Sequence, residues 1–229
     1  MRPLILISLF LLFTTGYSAD PSPIAAAFHQ DASSSDLLAS GAFKLAVPFH
    51  SQKDGTRFAG SNCGPASLEL VLEAFGNPQT NADLRWRSHT YQGTAGRGGG
   101  TALQFVAMAA RDLGLDPEGL YDGQSFHQWS LADIRVELDL GQPVVPLVKY
   151  RLLPGHEGST IRWDHYIVIF GVDGDRFLYH DPSFADPAEG SARWITSTQL
   201  QTAMGAASIP GQAVAFAPGI YPPLDVFTV

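Results

Sequence analysis

Residues 164–182 read "DHYIVIFGVDGDRFLYHDP". Two runs rich in β-branched and aromatic residues, 164–170 and 176–180, flank a turn carrying aspartate and glycine, "GVDGD", and this is the pattern of an antiparallel hairpin. A third strand-like run, "VVPLVKY", lies just upstream at 144–150. Before it the period changes to that of helices. Leu68, Val71, Leu72 and Phe75 recur at three- and four-residue spacing, with Asn62 or Ser61 as cap and "GNP" at 76–78 as stop. Further helices are expected from "TNAD" at Thr80, from Thr101 to about Leu113 with Gly114 as stop, and over Ser130 to Pro143. Near the front of the domain "FKLAVPFHSQ", 43–52, alternates like a short strand. Helices gather in the first half and strands in the second. That segregation predicts an α+β fold in which N-terminal helices pack on an antiparallel sheet.

The chain has 229 residues, 45% hydrophobic and 16% charged, with a formal net charge of -8. This suits one globular domain. The acidic balance, with no clustered Lys or Arg, argues against nucleic acid or an anionic membrane surface as partner. At the N-terminus Arg2 precedes an apolar run, Leu4 to Phe13, and then the small, polar "TTGYSAD". This reads as a signal peptide over 1–19, cleaved near Ser18 or Ala19, because the run is about half the length a membrane-spanning helix needs. A flexible, Ala/Ser/Pro-rich lead-in (20–42) and a domain over 43–229 follow, free in the periplasm or secreted, with no membrane anchor after cleavage. The run "GRGGG" at 96–100 lacks the Lys-Ser/Thr of a phosphate loop and reads as a connection.

Export sharpens the meaning of Cys63, the only cysteine. One thiol in an oxidising compartment has no internal disulfide partner. Cys63 falls in the first turn of the first helix, where unpaired N–H groups and the positive end of the dipole favour a thiolate. Pro65 is tolerated there, and Gly64 is expected to leave room beside the sulfur for a substrate backbone. A nucleophile needs a base. Of seven histidines, His165 stands out because it interrupts an apolar strand. Asp181, at the end of the partner strand, is the better-placed orienting acid; Asp164 and Asp173 are rivals. Strand parity adds a condition. For His165 and Asp181 to oppose one another the hairpin must centre on Asp173, which predicts a three-residue loop, Val172 to Gly174, with Gly171 opposite Asp175 and His180 facing away. A metal set of His156, His165 and Asp164 matches no standard spacing, so neither metal nor cofactor is expected.

Taken together, "SQKDGTRFAGSNCGPASLELVLEAFG", "GQPVVPLV" and "DHYIVIFGVDGDRFLYHDP" resemble the C39-like cysteine peptidases of the papain superfamily, from about Val47 to Pro182. The resemblance implies a papain-like fold and a peptide or protein substrate. It implies Cys63 as nucleophile, His165 as base and then acid, Asp181 as its orienter, and Gln52 as an oxyanion donor beside the Cys63 N–H. Unlike the leader proteases of that superfamily, the domain is expected to act alone, so their double-glycine substrates do not carry over. Two other readings share the same residues: a silent papain-like domain that binds peptide, and an amidase or transpeptidase acting on a non-protein amide.

Overall fold

The computed structural model describes residues 42–219, so the expected signal peptide and nearly all of the expected lead-in lie outside the described residues. The four expected helices form as α1 (Cys63–Ala74), α2 (Asn81–Tyr91), α3 (Leu103–Asp112) and α4 (Leu131–Asp139). Their ends follow local chemistry. Past α1, Gly76 takes a left-handed φ of +78°. The Thr80 side chain accepts the Asp83 N–H at the start of α2, and Ser130 and Asp133 form a reciprocal capping box on α4. Helix α3 starts two residues late because the Thr101 hydroxyl is bonded to His89 Nε2 at 2.9 Å instead of capping.

Eight strands build one sheet, antiparallel throughout. They are β1 (Ala42–Lys44), β2 (Leu115–Glu118), β5 (Val144–Lys149), β6 (Asp164–Tyr166), β7 (Val168–Asp173), β8 (Arg176–His180), β9 (Arg193–Thr196) and β10 (Ala213–Pro218). A small hairpin, β3 (Tyr121–Asp122) and β4 (Ser125–Phe126), stands apart. The main path runs β2-β10-β5-β7-β8-β9, with β1 on β7 and β6 on β5. The segregation of helix from strand is incomplete: β2 comes from the helical half, while α5 (Pro187–Gly190) and α6 (Ser197–Gly205) come from the other. Helices α1 to α3 cover one face of the sheet, where Leu68, Leu72, Leu84 and Val106 meet Leu147, Val168 and Phe216. On the other face Ile134 of α4 and Leu200 of α6 meet Ile167, Ile169, Phe177 and Ile195. Burying two such layers is the main source of stability.

Two expectations fail in detail. Only Phe43 and Lys44 of the segment 43–52 enter the sheet, as part of β1. Beyond it the chain stays tied down by single bonds, Leu45 N–H to the Phe170 carbonyl at 2.7 Å and Gln52 N–H to the Pro182 carbonyl at 2.8 Å, because Pro48 has no N–H to continue a ladder. The hairpin register also differs. Asp173 pairs with Arg176, leaving a two-residue turn, Gly174 and Asp175, with Gly174 at a φ of +53°. Such a turn matches the right-handed twist of the strands better than the predicted three-residue loop. It would put His165 and Asp181 on opposite faces, but a bulge lies between Ile169 and Gly171. The extra residue, Phe170, flips the parity back. His165 and Asp181 therefore share a face as diagonal neighbours, not as an opposed pair.

Candidate active site

The site is assembled where the start of α1 meets β6 and the chain leaving β8. Asn62 occupies the N-cap position of α1, yet its side chain makes no cap bond. It is fully buried and committed elsewhere: Oδ1 accepts from Arg85 Nη1 at 2.8 Å and Nδ2 donates to Asp54 Oδ2 at 2.8 Å. Consequently the first-turn N–H groups of α1 have no side-chain acceptor and face the thiol with their partial positive charge. Gly64 does not serve the substrate space expected of it. It is buried, and a Cβ there would meet Val106 at 3.1 Å and Tyr166 at 3.4 Å, so the residue lets the helix seat against α3 and β6.

Arg85 of α2 holds this corner. Its guanidinium is buried, lies 4.2 Å from the Phe58 ring, and donates from Nη2 to the carbonyls of Arg97 and Gly99 at 2.8 and 3.2 Å. The glycine run at 96–100 thereby becomes a fixed wall of the site. Sequence alone gave it no such part.

His165 is 4% exposed and Asp181 0%. His165 Nε2 lies 2.9 Å from Asp181 Oδ1, which leaves Nδ1 for the side-chain hydrogen bond with the Cys63 thiol. Burial works against ionising Cys63, but the hydrogen bond and charge of His165, with backbone donors at Tyr166 and Gly64, outweigh it and hold the thiol below its ordinary value. Burial likewise opposes the His165 cation, and Asp181 and Cys63 reverse this, pushing it up to about 10. Asp181, despite its burial, is held far below the usual carboxylate range by the His165 charge and by donors from His156, His165 and Ser183. The three groups are thus biased toward thiolate at Cys63, imidazolium at His165 and carboxylate at Asp181.

Asp181 has more partners than sequence suggested. Ser183 donates to Oδ1 from its N–H at 2.9 Å and its hydroxyl at 2.6 Å, and His156 Nε2 lies 2.8 Å from Oδ2. His156 sits in the loop "LLPGHEGST", where no periodicity marks it. The two rivals for the acid are engaged away from His165: Asp164 pairs with Lys149 at 2.6 Å and Asp173 with Arg176 at 2.5 Å. His180 points elsewhere, as expected, with Nε2 2.8 Å from the Val47 carbonyl. Among the described residues no three His, Cys, Asp or Glu side chains are grouped to hold a metal ion.

Gln52 is brought to the same place. It is 4% exposed, donates from Nε2 to the Ala59 carbonyl at 2.8 Å, and keeps one further N–H. With Cys63 and His165 it lines a cleft of about 420 Å³, bounded also by Gly99, Tyr150, Trp163 and Ser183.

The sequence model of the Peptidase_C39 like family matches residues 44–202. The chain belongs to this family. No curated protein matches it. Among solved structures, a Bacillus anthracis protein assigned as a C39-like peptidase aligns with a TM-score of 0.51 and 16% identity, over 75% of this chain and 94% of that one. The peptidase domain of Streptococcus ComA, a bi-functional ABC transporter of a quorum-sensing pathway, aligns with a TM-score of 0.46 and 20% identity, over 69% of this chain and 93% of that one. A double glycine motif protease from an AMS/PCAT transporter, solved with its leader peptide, aligns with a TM-score of 0.45 and 17% identity, over 76% and 94%. The architecture of this C39-like domain is thus the papain-like one: helices on an antiparallel sheet, with the lone cysteine at a helix start.

Proposed function

We propose that this C39-like domain is an exported cysteine peptidase working through Cys63, His165 and Asp181. The observation that carries this reading is the placement of His165, its Nε2 bonded to the buried Asp181 carboxylate and its ring lining the wall of one open cleft with Cys63. The Cys63 thiolate attacks the carbonyl carbon of a peptide bond. The oxyanion that forms is held by the Cys63 N–H and the free N–H of Gln52 Nε2. The C–N bond then breaks as His165 gives its proton to the leaving amine, and a thioester remains. Water, deprotonated by His165, attacks the thioester carbon, and Cys63 leaves as thiolate. Asp181 keeps the imidazole oriented and stabilises its cation throughout. No step requires a metal.

The signal peptide at 1–19 directs export, and residues 43–229 form the mature catalytic domain. Turnover of a peptide library by wild-type protein and by Cys63→Ala tests the reading. Cleavage fragments from wild type and none from the variant are expected. Equal turnover by the two would overturn it, and transfer to an added amine in place of hydrolysis would redirect it to a transpeptidase.

A further inference from the structure

We infer that His156 is a positioning residue of this site, a second imidazole that locks the Asp181 carboxylate so that Oδ1 faces His165. The inference rests on the peptidase reading above and extends its triad to a fourth side chain. The geometry is particular. Asp181 is 0% exposed, and its Oδ1 already serves His165 and Ser183 at 2.6 to 2.9 Å. Oδ2 has one close partner, His156 Nε2 at 2.8 Å. Without it a buried anionic oxygen would be left unpaired, and the carboxylate would gain by rotating or by drawing in water.

His156 is itself held from both sides. Its ring is 8% exposed and stacks between Tyr150, with centroids 4.0 Å apart, and Phe184, at 4.8 Å. Tyr150 then meets the His165 ring edge-on at 5.4 Å, so the same aromatic stack braces both imidazoles. The Ser183 hydroxyl lies 3.2 Å from His156 Nε2 while donating to Asp181, which closes the cluster. Among the other titratable side chains around this cluster are Tyr150, stacked on the His156 ring, and Tyr179 of β8, which interacts with Asp181. Burial raises both, Tyr179 to about 12, so neither changes charge over the working range. Arg193 of β9 lies 4.5 Å from the Phe184 ring with its guanidinium bonded to the backbone carbonyls of Glu189 and Pro154.

Two variants separate a donor from a packing element. His156→Phe keeps the ring between Tyr150 and Phe184 and removes the N–H, whereas His156→Gln keeps an N–H at similar reach and removes the ring. The readout is the pH dependence of kcat/KM on a cleaved peptide, which needs the thiolate and the imidazolium together, with kcat and KM at neutral pH, iodoacetamide alkylation of Cys63 for the acid limb alone and a melting curve for each protein. In wild type the reactive window should open well below the pH at which a free thiol ionises and extend to about pH 10, set by His165. For His156→Phe the upper limb should move down toward that of Asp181→Asn, with kcat falling roughly tenfold and KM unchanged. His156→Gln should retain the wild-type window. A window kept by Phe and lost by Gln would overturn the inference and leave His156 as packing. Should Phe fail to fold, Gln decides alone: a window as narrow as that of Asp181→Asn contradicts the donor role. A wild type with no early window would instead overturn the peptidase reading, so the two failures are distinct.

Discussion

His165 of β6 and His180 of β8 are almost equally shielded from water, at 4% and 2% exposure, yet one is held as a cation and the other as a neutral ring. Burial disfavours charge on both. The difference lies in their partners. His165 lies between a carboxylate and a thiol and is pushed up to about 10. His180 donates from Nε2 to the Val47 carbonyl and accepts the Ala192 N–H at Nδ1, so its second nitrogen has no proton to give, and it falls to about 4. Its ring stacks on Phe170 at 4.2 Å, the residue of the bulge that sets the register of the site. One histidine is built for proton transfer and the other for structure.

The strongest way to break the contrast is to remove what makes His165 different. Cys63→Ser should leave no measurable turnover, because a hydroxyl needs a far stronger base, while stability stays within about 1 kcal/mol of wild type. Residual activity above background in a peptide assay would contradict the nucleophile assignment. His165→Ala should cost about a thousandfold or more in kcat/KM, and Asp181→Asn less, since it removes orientation and not the proton carrier. The reverse order in steady-state kinetics would show that another group orients the ring.

The remaining tests concern stability. His180→Phe keeps an aromatic ring beside Phe170 but leaves the Ala192 N–H and Val47 carbonyl unpaired, so denaturant unfolding should show a loss of about 1–3 kcal/mol with kcat per folded molecule unchanged. The variant should also lose the acid sensitivity that His180 confers. A histidine with its folded value lowered to about 4 stabilises the fold above its unfolded value of about 6.5, and that stability is lost as pH falls between the two. The smallest effect is a slope. In wild type the proton leaving Cys63 is matched by the one retained on His165, so this pair should make stability nearly flat from about pH 6.5 to 8.5. In Cys63→Ala only the raised His165 remains. Its contribution is complete below about pH 6.5 and declines as pH rises toward its folded value, by about 1.4 kcal/mol per unit at most. A flat profile in that variant would mean that Asp181 alone does not hold the imidazolium.

Sequence periodicity revealed α1 to α4, the strands of the central hairpin and the cysteine at a helix start, because caps, stops and apolar spacing are local signals. Beyond Pro182 the local signal is sparse, although Thr196 and Gln199 carry the capping-box pattern that starts α6. The register was misjudged since a bulge at Phe170 leaves no mark in a run of apolar residues. The pair itself is legible because His165 interrupts an apolar strand and Asp181 ends the partner strand, whereas the loop that parity demands for it is not the one that forms. His156, Arg85 and the wall at Gly99 were hidden for another reason. Their partners lie far along the chain, and a loop histidine or a helical arginine looks the same whether or not the fold carries it to a site.

The central assignment is a thiolate–imidazolium pair at neutral pH, and the ultraviolet absorbance of the thiolate tests it most directly. The difference in absorbance between wild type and Cys63→Ala should rise at a pH below the free-thiol value of about 8.5. A difference that appears only in a single step near pH 8.5 or above would contradict the pair, and with it the reading of this cleft as a cysteine peptidase site.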